Sequence, residues 1–381
     1  MTQNYDEKFM NLALNLSLKN IGATAENPVV GCVIVKNSEI LATAITSKSG
    51  RPHAEINAIN KISDKNILKD CTLYVSLEPC SHIGKTGPCV DEIIKYQFKK
   101  VVIASIDPDP RVNGNGIKKL QQAGIEVVLG TCNEKMQEIN RGFFLAKKTG
   151  LPFTTMKIAS SFDGKIATKN QHSKWITCQK SREFSHNLRS KNQAIIIGGR
   201  SIKADDPILN TRLEGLMDLS PIPIIISKNL DFSFQEKIFF GNKSTQKIII
   251  TTANNFNKNT NLQNWLKLND GHQALYIKDL EDRNHNFINL KLALQELVKF
   301  NINSVLIEGG GQIFSEFLRQ NLVDELVWIK SPIIIGNDGI PAINAFGVEN
   351  LSDALQNLQP TKNFNINQDH ITIFQKPTIL F

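Results

Sequence analysis

The chain has 381 residues, of which 41% are hydrophobic and 21% are charged, and its formal net charge is +8. This length favours two domains with separate cores, and the composition is typical of a soluble globular protein. No stretch is apolar for long enough to span a bilayer, which argues against a membrane-spanning helix. Six cysteines without an export signal favour a reducing cytoplasm and argue against a disulfide framework.

The positive charge has two possible explanations, a lysine-rich solvated surface or attraction of an anionic ligand. No run of five or more basic residues occurs, and the basic positions are not interleaved with aromatic residues that could stack on bases. We therefore favour the solvated surface, with phosphate-bearing small molecules as the next explanation.

The first third of the chain alternates between strand and helix patterns. Spaced apolar residues predict an amphipathic helix within residues 1–20. Strands are predicted over 28–35, 71–77 and 100–106, and helices from about His53, over 90–96, and from 116 to a glycine stop at Gly124. Strands separated by helices predict a mostly parallel sheet that is covered on both faces.

The segment "AKKTGLP" at 146–152 has charge, a glycine, a proline and no apolar periodicity, so it predicts a domain boundary. We predict a first domain over residues 1–146, a linker over 147–152 and a second domain over 153–381. The second domain alternates again, with predicted strands in "FTTMKIAS", "QAIIIGG", "IPIIIS", "KIIITT", "SVLIEGGG" and "ELVWIKSPIII". Residues 253–286 are Asn-rich and weakly patterned, and we expect surface loops and one helix there.

Two stretches of the first domain, "PHAEINAI" and "SLEPCSHIGKTGPC", carry residue types that bind metals. His53, Cys80 and Cys89 offer one imidazole and two thiolates. A catalytic zinc site has three protein ligands and an open fourth position. The other four cysteines lack the short spacing of a structural zinc site, although His82 is a nominal fourth ligand.

Glu55 lies two residues after His53, and positions i and i+2 of a continuing helix point to nearly opposite sides. Both side chains can reach one metal only where the helix begins, and Pro52 favours such a start at His53. Cys80 follows Pro79 at a strand end, where we expect a second helix to begin. Zinc lowers the pKa of a bound water, whose proton Glu55 could pass to a departing amine. A His-x-Glu alone is compatible with a surface pair, but the two cysteines favour catalysis.

The ordered motifs "ENPVVGCVIV", "PHAEINAI", "LEPCSHIGKTGPC", "IDPDPRVNGNGIKKLQQAGIEV" and "INRGFF" resemble the deaminase half of the bifunctional riboflavin-biosynthesis deaminase/reductase family. Eight residues separate the two cysteines, where nucleoside and tRNA deaminases typically have two. The resemblance implies a cytidine-deaminase-like three-layer α/β/α domain. The residues it implies are zinc ligands His53, Cys80 and Cys89, the catalytic proton shuttle Glu55, Asn27 at the substrate ring and Lys85 at the substrate phosphate.

The chain departs from that family at three places near the expected phosphate. Pro-Asn-Pro is replaced by Glu-Asn-Pro at 26–28, and Gly-x-His by Ala-Ile-Thr at 44–46. Asp-Pro-Asn-Pro is replaced by Asp-Pro-Asp-Pro at 107–110. Asp109 should repel a phosphate unless it faces away or Lys85 and Arg111 compensate.

In the second domain, "SVLIEGGGQIFSEFL" predicts a buried strand, a triple glycine and a helix whose N-terminus favours an anionic phosphate. "IIIGGRSIKADDP" repeats the strand-to-glycine pattern, and neither stretch matches the G-x-G-x-x-G fingerprint. Together with "KIASSFDGKIA", "SKWIT" and "HNLRSKNQAIIIGG", these stretches resemble the reductase half of the same family. The resemblance implies a dihydrofolate-reductase-like α/β domain that uses NADPH.

The resemblance also implies the binding residues of that domain. The NADPH site would be lined by Ala159, Trp175, Ser201, Asp205, Gly310, Gly311, Gln312, Ile313, Phe314, Ser315 and Glu316. The substrate would meet Ser173, Arg189, Leu209, Arg212 and Glu308. Each arginine is individually compatible with a solvated surface charge, but a guanidinium can also grip a phosphate bidentately. Trp175 is equally compatible with core packing.

We therefore expect a cytoplasmic, bifunctional enzyme that binds one zinc ion in its deaminase domain and uses NADPH. It would deaminate 2,5-diamino-6-ribosylamino-4(3H)-pyrimidinone 5′-phosphate and reduce its ribosyl group, giving 5-amino-6-(5-phosphoribitylamino)uracil. The expected partners are this phosphorylated pyrimidine and further copies of the chain in a homo-oligomer, with no nucleic acid and no membrane.

Three alternatives stay open at this point. The first is a tRNA-type nucleic-acid deaminase with an appended binding domain, although a short Cys-x-x-Cys and a stacking surface are not evident. The second is a non-catalytic protein that holds structural zinc. The third is an active reductase beside a deaminase with altered substrate preference.

Overall fold

The computed structural model describes residues 2–84, 87–241, 246–269, 271–277 and 288–377. The chain divides into two compact units, Met1–Gly150 and Leu151–Ile379. Within the described ranges, every helix is too short or too polar to traverse a lipid bilayer.

The first unit contains a five-stranded sheet with the strand order β2-β1-β3-β4-β5. Its strands are β1 (Gly31–Lys36), β2 (Glu39–Ile45), β3 (Thr72–Leu77), β4 (Lys100–Ser105) and β5 (Glu126–Leu129). Its helices are α1 (Thr2–Ser17), α2 (Ala54–Asn60), α3 (Cys89–Lys95), α4 (Asn115–Gln122), α5 (Asn133–Ile139) and α6 (Arg141–Thr149). Strands β3, β4 and β5 are parallel, whereas β1 is antiparallel to both β2 and β3.

The sheet is therefore less parallel than the sequence predicts, because the sequence patterns do not reveal β2. Strands β1 and β2 form a hairpin whose two turn residues, Asn37 and Ser38, have φ values of 49° and 68°. Two positive φ values match the twist of the flanking strands, but such a turn usually contains glycine. Without that glycine, the hairpin has no strong local signal.

Helices cover both faces of this sheet. A Cβ on Gly31 would overlap the carbonyl oxygen of Ala13 in α1, so this face of β1 lies against α1. Successive strand residues point to opposite faces. The next residue, Cys32, is buried within the electrostatic reach of Glu55 in α2. The first unit is thus the α/β/α sandwich that the alternating patterns predict.

The second unit contains a nine-stranded sheet with the order β11-β10-β9-β8-β12-β6-β13-β16-β15, and a two-stranded pair, β14-β7. Its strands are β6 (Phe153–Ser160), β7 (Lys165–Ala167), β8 (Ala194–Gly198), β9 (Ile222–Ile226), β10 (Ile248–Thr252), β11 (Gln273–Ile277), β12 (Ser304–Ile307), β13 (Glu325–Lys330), β14 (Ile340–Pro341), β15 (Gln359–Ile366) and β16 (Asp369–Gln375). Its helices are α7 (Gln179–Ser190), α8 (Gly199–Asp205), α9 (Lys237–Phe240), α10 (Ala253–Lys258), α11 (Thr260–Leu268), α12 (Leu290–Lys299) and α13 (Gly311–Arg319).

The strands from β11 to β13 run parallel, and β16 and β15 add an antiparallel hairpin. Each of the six predicted stretches contains a strand, although "SVLIEGGG" and "ELVWIKSPIII" leave the sheet after Ile307 and Lys330. The expectation of one helix within 253–286 is wrong, because α10, α11 and strand β11 lie there. Residues 147–149, predicted as linker, belong to α6.

The parallel strands bring their carboxyl ends to one edge of the large sheet. At this edge β6, β12, β8 and β9 are consecutive neighbours. Ligands of open α/β sheets bind in the crevice outside the carboxyl ends of such strands. A site in the second unit is therefore expected where these four strands end.

Candidate active sites

Three potential metal ligands of the first unit lie close together. The Nδ1 atom of His53 is 3.3 Å from Sγ of Cys89 and 3.6 Å from Sγ of Cys80. All three atoms lie within 4.8 Å of one another. Tetrahedral zinc, with bonds of about 2.0–2.1 Å to nitrogen and 2.3 Å to sulfur, separates such atoms by about 3.6 Å. The donor chemistry and spacing therefore fit zinc.

No fourth His, Cys, Asp or Glu joins this group among the residues that the structure describes, so His82 is not part of it. Three protein ligands leave one coordination position for a small molecule, which is the arrangement of catalytic zinc sites.

The local backbone explains how the three side chains meet. His53 has extended backbone angles and caps α2, while Cys89 is the first residue of α3. The expectation that a helix begins at Cys80 is wrong, because Cys80 lies in the loop after β3. The backbone N–H of Cys89 donates to Sγ of Cys80 at 3.2 Å, and that of Val90 donates to the carbonyl of Cys80. These two hydrogen bonds hold Cys89 and Val90 beside Cys80.

The three donor groups shift one another's pKa values. The pKa of Cys80 is lowered because the thiol and backbone N–H of Cys89, together with the ring of His53, hydrogen-bond to its sulfur. The pKa of Cys89 is raised, because it keeps the proton that the two sulfurs share and because it is buried. The lowered pKa of Cys80 favours the thiolate form that metals bind.

Glu55 lies beside the donor atoms but is not one of them. It is buried in the first turn of α2, and its carboxyl group lies against Cys89. Burial raises the pKa of Glu55, and the neighbouring His53 partly opposes this effect. A carboxyl group in such surroundings can accept and release a proton.

A second buried carboxylate, Glu78, was not singled out from the sequence. It precedes Pro79 and Cys80, and its two oxygens accept four backbone N–H groups at 2.9–3.3 Å. The four donors are Asp107, Gly114, Gly116 and Ile117. Gly116 has to be a glycine, because a Cβ there would overlap the carbonyl oxygen of Pro79. Glu78 thus ties the start of α4 to the segment that carries Cys80.

Asp109 is neutralised within the first unit. Its carboxylate accepts from Arg111 at 2.7 and 2.9 Å and from Lys147 of α6 at 2.8 Å. These hydrogen bonds, chiefly that of Arg111, hold the pKa of Asp109 well below its usual range against the opposing effect of burial. The charge of Asp109, which we expect to repel a phosphate, is therefore compensated by Arg111, one of the two residues named for this in the sequence analysis. Lys147 is an additional partner.

Asn27 and Lys85 are the two predicted substrate contacts of the first unit. The Nδ2 of Asn27 donates to the carbonyl of Gly50 at 3.4 Å, so Asn27 lies against the segment that leads to His53. Lys85 lies outside the described residues.

The second unit has a cavity of about 1090 Å³. Most of the residues that the resemblance implies for this unit line it: Ala159, Ser173, Trp175, Arg189, Ser201, Asp205, Leu209, Arg212, Glu308 and 310–314. Ser315 and Glu316 do not line it. The Ser315 hydroxyl donates to the Gly311 carbonyl, and Glu316 accepts from Arg319 and Gln320 along α13.

Glu308 is buried at the end of β12 in a cluster of charges. Nε and Nη2 of Arg189 donate to its two oxygens at 2.9 and 3.0 Å, and Lys157 lies 3.1 Å away. Burial alone would raise the pKa of Glu308, but the two cations outweigh burial and hold the pKa well below its usual range. Lys157 was not singled out from the sequence, although a lysine inside the apolar strand "FTTMKIAS" is a signal of a buried charge.

Arg189 and Arg212 differ in their availability to a ligand. Arg189 is committed to Glu308 and also donates to the carbonyl of Asn210. Arg212 is exposed and lines the cavity. Burial, together with the positive charges of Arg189 and Arg212, lowers the pKa of His186 to about 4. This imidazole is therefore neutral near pH 7.

Five of the predicted cofactor residues, 310–314, form the start of α13. A Cβ on Gly311 would be 2.6 Å from the carbonyl oxygen of Pro341, so only glycine fits there. Trp175 is 66% exposed, and the Arg182 guanidinium stacks 4.3 Å from its ring centroid. Trp175 is thus a cavity wall and not a core residue. Burial raises the pKa of Asp205, the last residue of α8.

Comparisons with known proteins match each unit to a family. The family described as the cytidine and deoxycytidylate deaminase zinc-binding region matches residues 3–105, and the RibD C-terminal domain matches residues 152–372. Riboflavin biosynthesis protein RibD of Aquifex aeolicus (strain VF5) is 35% identical over 377 residues, which cover 99% of this chain and 100% of that protein. RibD of Escherichia coli (strain K12) is 34% identical over 353 residues, 92% of this chain and 94% of that protein.

Solved structures extend the similarity to the fold. Acinetobacter baumannii RibD has a TM-score of 0.87 at 30% identity, covering 99% of this chain and 100% of that chain. A Thermotoga maritima diaminohydroxyphosphoribosylaminopyrimidine deaminase/5-amino-6-(5-phosphoribosylamino)uracil reductase has a TM-score of 0.83 with the same identity and coverage. These similarities confirm the predicted fold classes, a cytidine-deaminase-like domain followed by a dihydrofolate-reductase-like domain.

Replacing Cys89 should remove the metal. We expect Cys89→Ala to lower the zinc bound per chain at least about tenfold in a zinc-buffered solution, because losing a ligand should cost more than losing an outer-shell contact. Elemental analysis after dialysis measures this ratio. Cys132→Ala removes a thiol outside the group and should keep the wild-type zinc content. A full complement of zinc in the Cys89 variant would contradict the assignment.

Glu308 should make the stability of the second unit depend on pH. Because its pKa is lowered on folding, its ionisation stabilises the folded state above the unfolded pKa of about 4.3, and this contribution is lost as pH falls further. Between pH 5 and pH 3, the free energy of unfolding should fall more steeply in the wild type than in Glu308→Gln. Urea unfolding followed by fluorescence measures it, since all three tryptophans lie in this unit.

The half-buried Glu296 of α12 provides the control, and Glu296→Gln should keep the wild-type slope. Equal slopes for wild type and Glu308→Gln would show that the carboxylate is not stabilised as the ion pairs indicate.

Proposed function

The chain belongs to the RibD family of riboflavin-biosynthesis enzymes, and we propose how its own residues carry the two reactions of that family. The chain is a bifunctional enzyme, a zinc-dependent pyrimidine deaminase and an NADPH-dependent reductase. Its substrate is a phosphorylated pyrimidine. The residue roles below are supported by the donor spacing in the first unit and by the charged cavity of the second.

His53, Cys80 and Cys89 would hold the zinc ion. The distances of 3.3 and 3.6 Å from Nδ1 of His53 to the two sulfurs carry the deaminase assignment. When bound, zinc lowers the pKa of a water molecule enough to make it a nucleophile near neutral pH. Glu55 would take the proton of the attacking water and deliver a proton to the departing amine.

Two further groups of the first unit would orient the substrate and the metal ligands. Asn27, held by the backbone of Gly50, is placed to contact the pyrimidine ring. Glu78 would fix Cys80 through its backbone hydrogen bonds, three to the start of α4 and one to Asp107. Lys85 stays a predicted contact of the substrate phosphate.

In the second unit, NADPH would supply the hydride that reduces C1′ of the ribosyl group. The exposed Arg212 is placed to grip the substrate phosphate, because its guanidinium is not committed to Glu308. Arg189, Glu308 and Lys157 would form a rigid, hydrogen-bonded wall against the substrate. Ser173, Leu209 and the neutral His186 complete that side of the cavity.

We also propose a cytoplasmic location and no nucleic-acid partner. All six cysteines are free thiols, and the two that would bind zinc need a reducing environment. Several cations near the two sites are committed to internal carboxylates, which reduces the positive charge that they offer to a nucleic-acid backbone.

Glu55→Gln should abolish the deaminase without affecting the reductase. General acid–base catalysis contributes roughly 10²- to 10⁴-fold, so the kcat of ammonia release should fall by at least about 10²-fold. Ammonia release from the diamino substrate without NADPH measures the first reaction, and NADPH oxidation with the deaminated substrate measures the second. Glu92→Gln, on the exposed face of α3, is the control.

Two results would count against this proposal. Unchanged ammonia release in Glu55→Gln, at wild-type zinc content, would exclude Glu55 as the proton shuttle. Absence of ammonia release by the wild type beside an active reductase would favour a deaminase with altered substrate preference.

We propose that the chain forms a homo-oligomer, which the edge strand β15 supports. Seven of its eight residues are exposed, and it is the last strand of the nine-stranded sheet. An exposed edge strand offers backbone N–H and C=O groups to another chain. Light scattering coupled to size exclusion should give a mass of at least two chains at micromolar concentration. A mass of one chain across the concentration range would reject the oligomer.

A further inference from the structure

Asn140, in the stretch "INRGFF", bonds to a distant segment of the first unit instead of to its own helices. It is buried, and it is the one residue between α5 and α6. An asparagine at a helix start usually accepts a backbone N–H of the first turn, but this side chain makes no such bond. Its Oδ1 accepts the N–H of Val29 at 2.7 Å, and its Nδ2 donates to the carbonyl of Val29 at 3.0 Å. The amide of Asn140 thus pairs with the backbone of a residue 111 positions earlier.

The backbone of Val29 depends on these two hydrogen bonds. Val29 is buried in an extended stretch that precedes β1, and the strand pairing of β1 begins only at Gly31. A buried N–H or C=O group without a partner is costly. Asn140 therefore supplies the donor and the acceptor that a neighbouring strand would otherwise provide.

The next two residues are held by the sheet itself. Oγ1 of Thr46, which follows β2, accepts the N–H of Val30 at 3.1 Å, and the N–H of Thr46 donates to the Val30 carbonyl at 2.9 Å. Oγ of Ser76 in β3 accepts the N–H of Gly31 at 3.0 Å. Asn140 extends this fixed stretch by one residue, in the direction of Asn27.

Pro28 links Val29 to Asn27 and makes the connection stiff. The ring of a proline fixes its own φ near −65°, and it restricts the residue before it to extended backbone angles. Few backbone rotations therefore remain between Val29 and Asn27. The place of the Val29 backbone consequently determines where the side chain of Asn27 lies.

The side chain of Asn27 lies in a space with little tolerance. A Cβ on Gly50 would be 2.0 Å from Nδ2 of Asn27, so glycine is required at 50 to make room for this amide. Nδ2 donates to the carbonyl of Gly50, whereas Oδ1 has no partner among the residues that the structure describes. That oxygen is therefore available as an acceptor for an N–H group of the substrate ring.

We infer that Asn140 is a positioning residue of the deaminase, which sets the amide of Asn27 against the pyrimidine ring by holding the backbone of Val29. This inference rests on the proposed function of the first unit, in which Asn27 contacts that ring. Asn140 itself touches neither the substrate nor the metal ligands, and it acts through Val29 and Pro28.

A double-mutant cycle on the full-length protein tests this, with ammonia release from the diamino substrate without NADPH as the measurement. A lost hydrogen bond of this kind corresponds to roughly 5- to 150-fold in kcat/KM. Asn27→Ala and Asn140→Ala should each lower kcat/KM within that range. The double variant should lose less than about twofold beyond Asn27→Ala, because the place of the amide no longer matters once the amide is removed.

Three controls separate positioning from a general loss of structure. Asn140→Ala should keep the wild-type zinc content and the wild-type rate of NADPH oxidation with the deaminated substrate. Asn140→Gln keeps the amide on a longer side chain and should recover part of the deaminase activity. Asn15→Ala removes the same type of side chain from an exposed position of α1 and should keep the wild-type kcat/KM.

A wild-type kcat/KM in Asn140→Ala would overturn the inference. So would losses that multiply in the double variant, since Asn140 would then act independently of Asn27. Loss of zinc in both Asn140→Ala and Asn140→Gln would assign Asn140 to the stability of the whole unit and reject the positioning role. A wild type that releases no ammonia would instead reject the proposed deaminase itself.

Discussion

A carboxylate that is withdrawn from water has to receive hydrogen bonds or positive charge, and both units of this protein are organised around one that does. In the first unit Glu78 accepts four backbone N–H groups, three of them at the start of α4 and one from Asp107. In the second unit Glu308 accepts a bidentate arginine and lies beside Lys157. Each carboxylate lies at the carboxyl end of a central strand, where the residues proposed for chemistry also gather.

The two buried glutamates of the first unit lie in different surroundings. These surroundings suit Glu78 to a structural role and Glu55 to a reactive one. Glu78 has all its acceptor positions near backbone donors, so its ionised form is satisfied within the fold. Glu55 is equally buried but lacks such a set of donors in the hydrogen bonds described, and burial raises its pKa. Two groups of one chemical type that are held in different environments can serve different purposes in one site.

The sequence predicts those features that are encoded locally. The fold classes follow from the alternating patterns and the ordered motifs, and His53, Cys80 and Cys89 are visible as a group because few residue types bind zinc. The same three donor atoms lie within 4.8 Å in the structure, while their role as ligands stays a prediction. The hairpin of β1 and β2 escapes the sequence patterns, because its turn has positive φ values without a glycine.

Features that depend on distant partners could not be predicted. Glu78 finds its donors about 30 to 40 residues further along the chain, and Asp109 is neutralised by Lys147, 38 residues away. Propensity and motif spacing carry no information on such pairs, since both depend on the packing of complete elements. The segment at 107–110 illustrates this limit: Arg111 is visible in the sequence as a possible partner of Asp109, but the contribution of Lys147 becomes visible only in the fold.

The ion pairs also show which cations behind the net charge of +8 can act on a ligand, a question that composition alone leaves open. Arg111 and Lys147 are committed to Asp109, Arg189 and Lys157 to Glu308, and Lys203 to Asp231. A committed cation stabilises the fold but adds little attraction for a ligand, because its field is largely cancelled by its partner. Arg200 and Arg212 are exposed, line the cavity and take no part in these pairs, so their charge is available to a phosphate. Selectivity for phosphorylated ligands thus depends on which cations the fold leaves uncommitted, and the total charge says little about it.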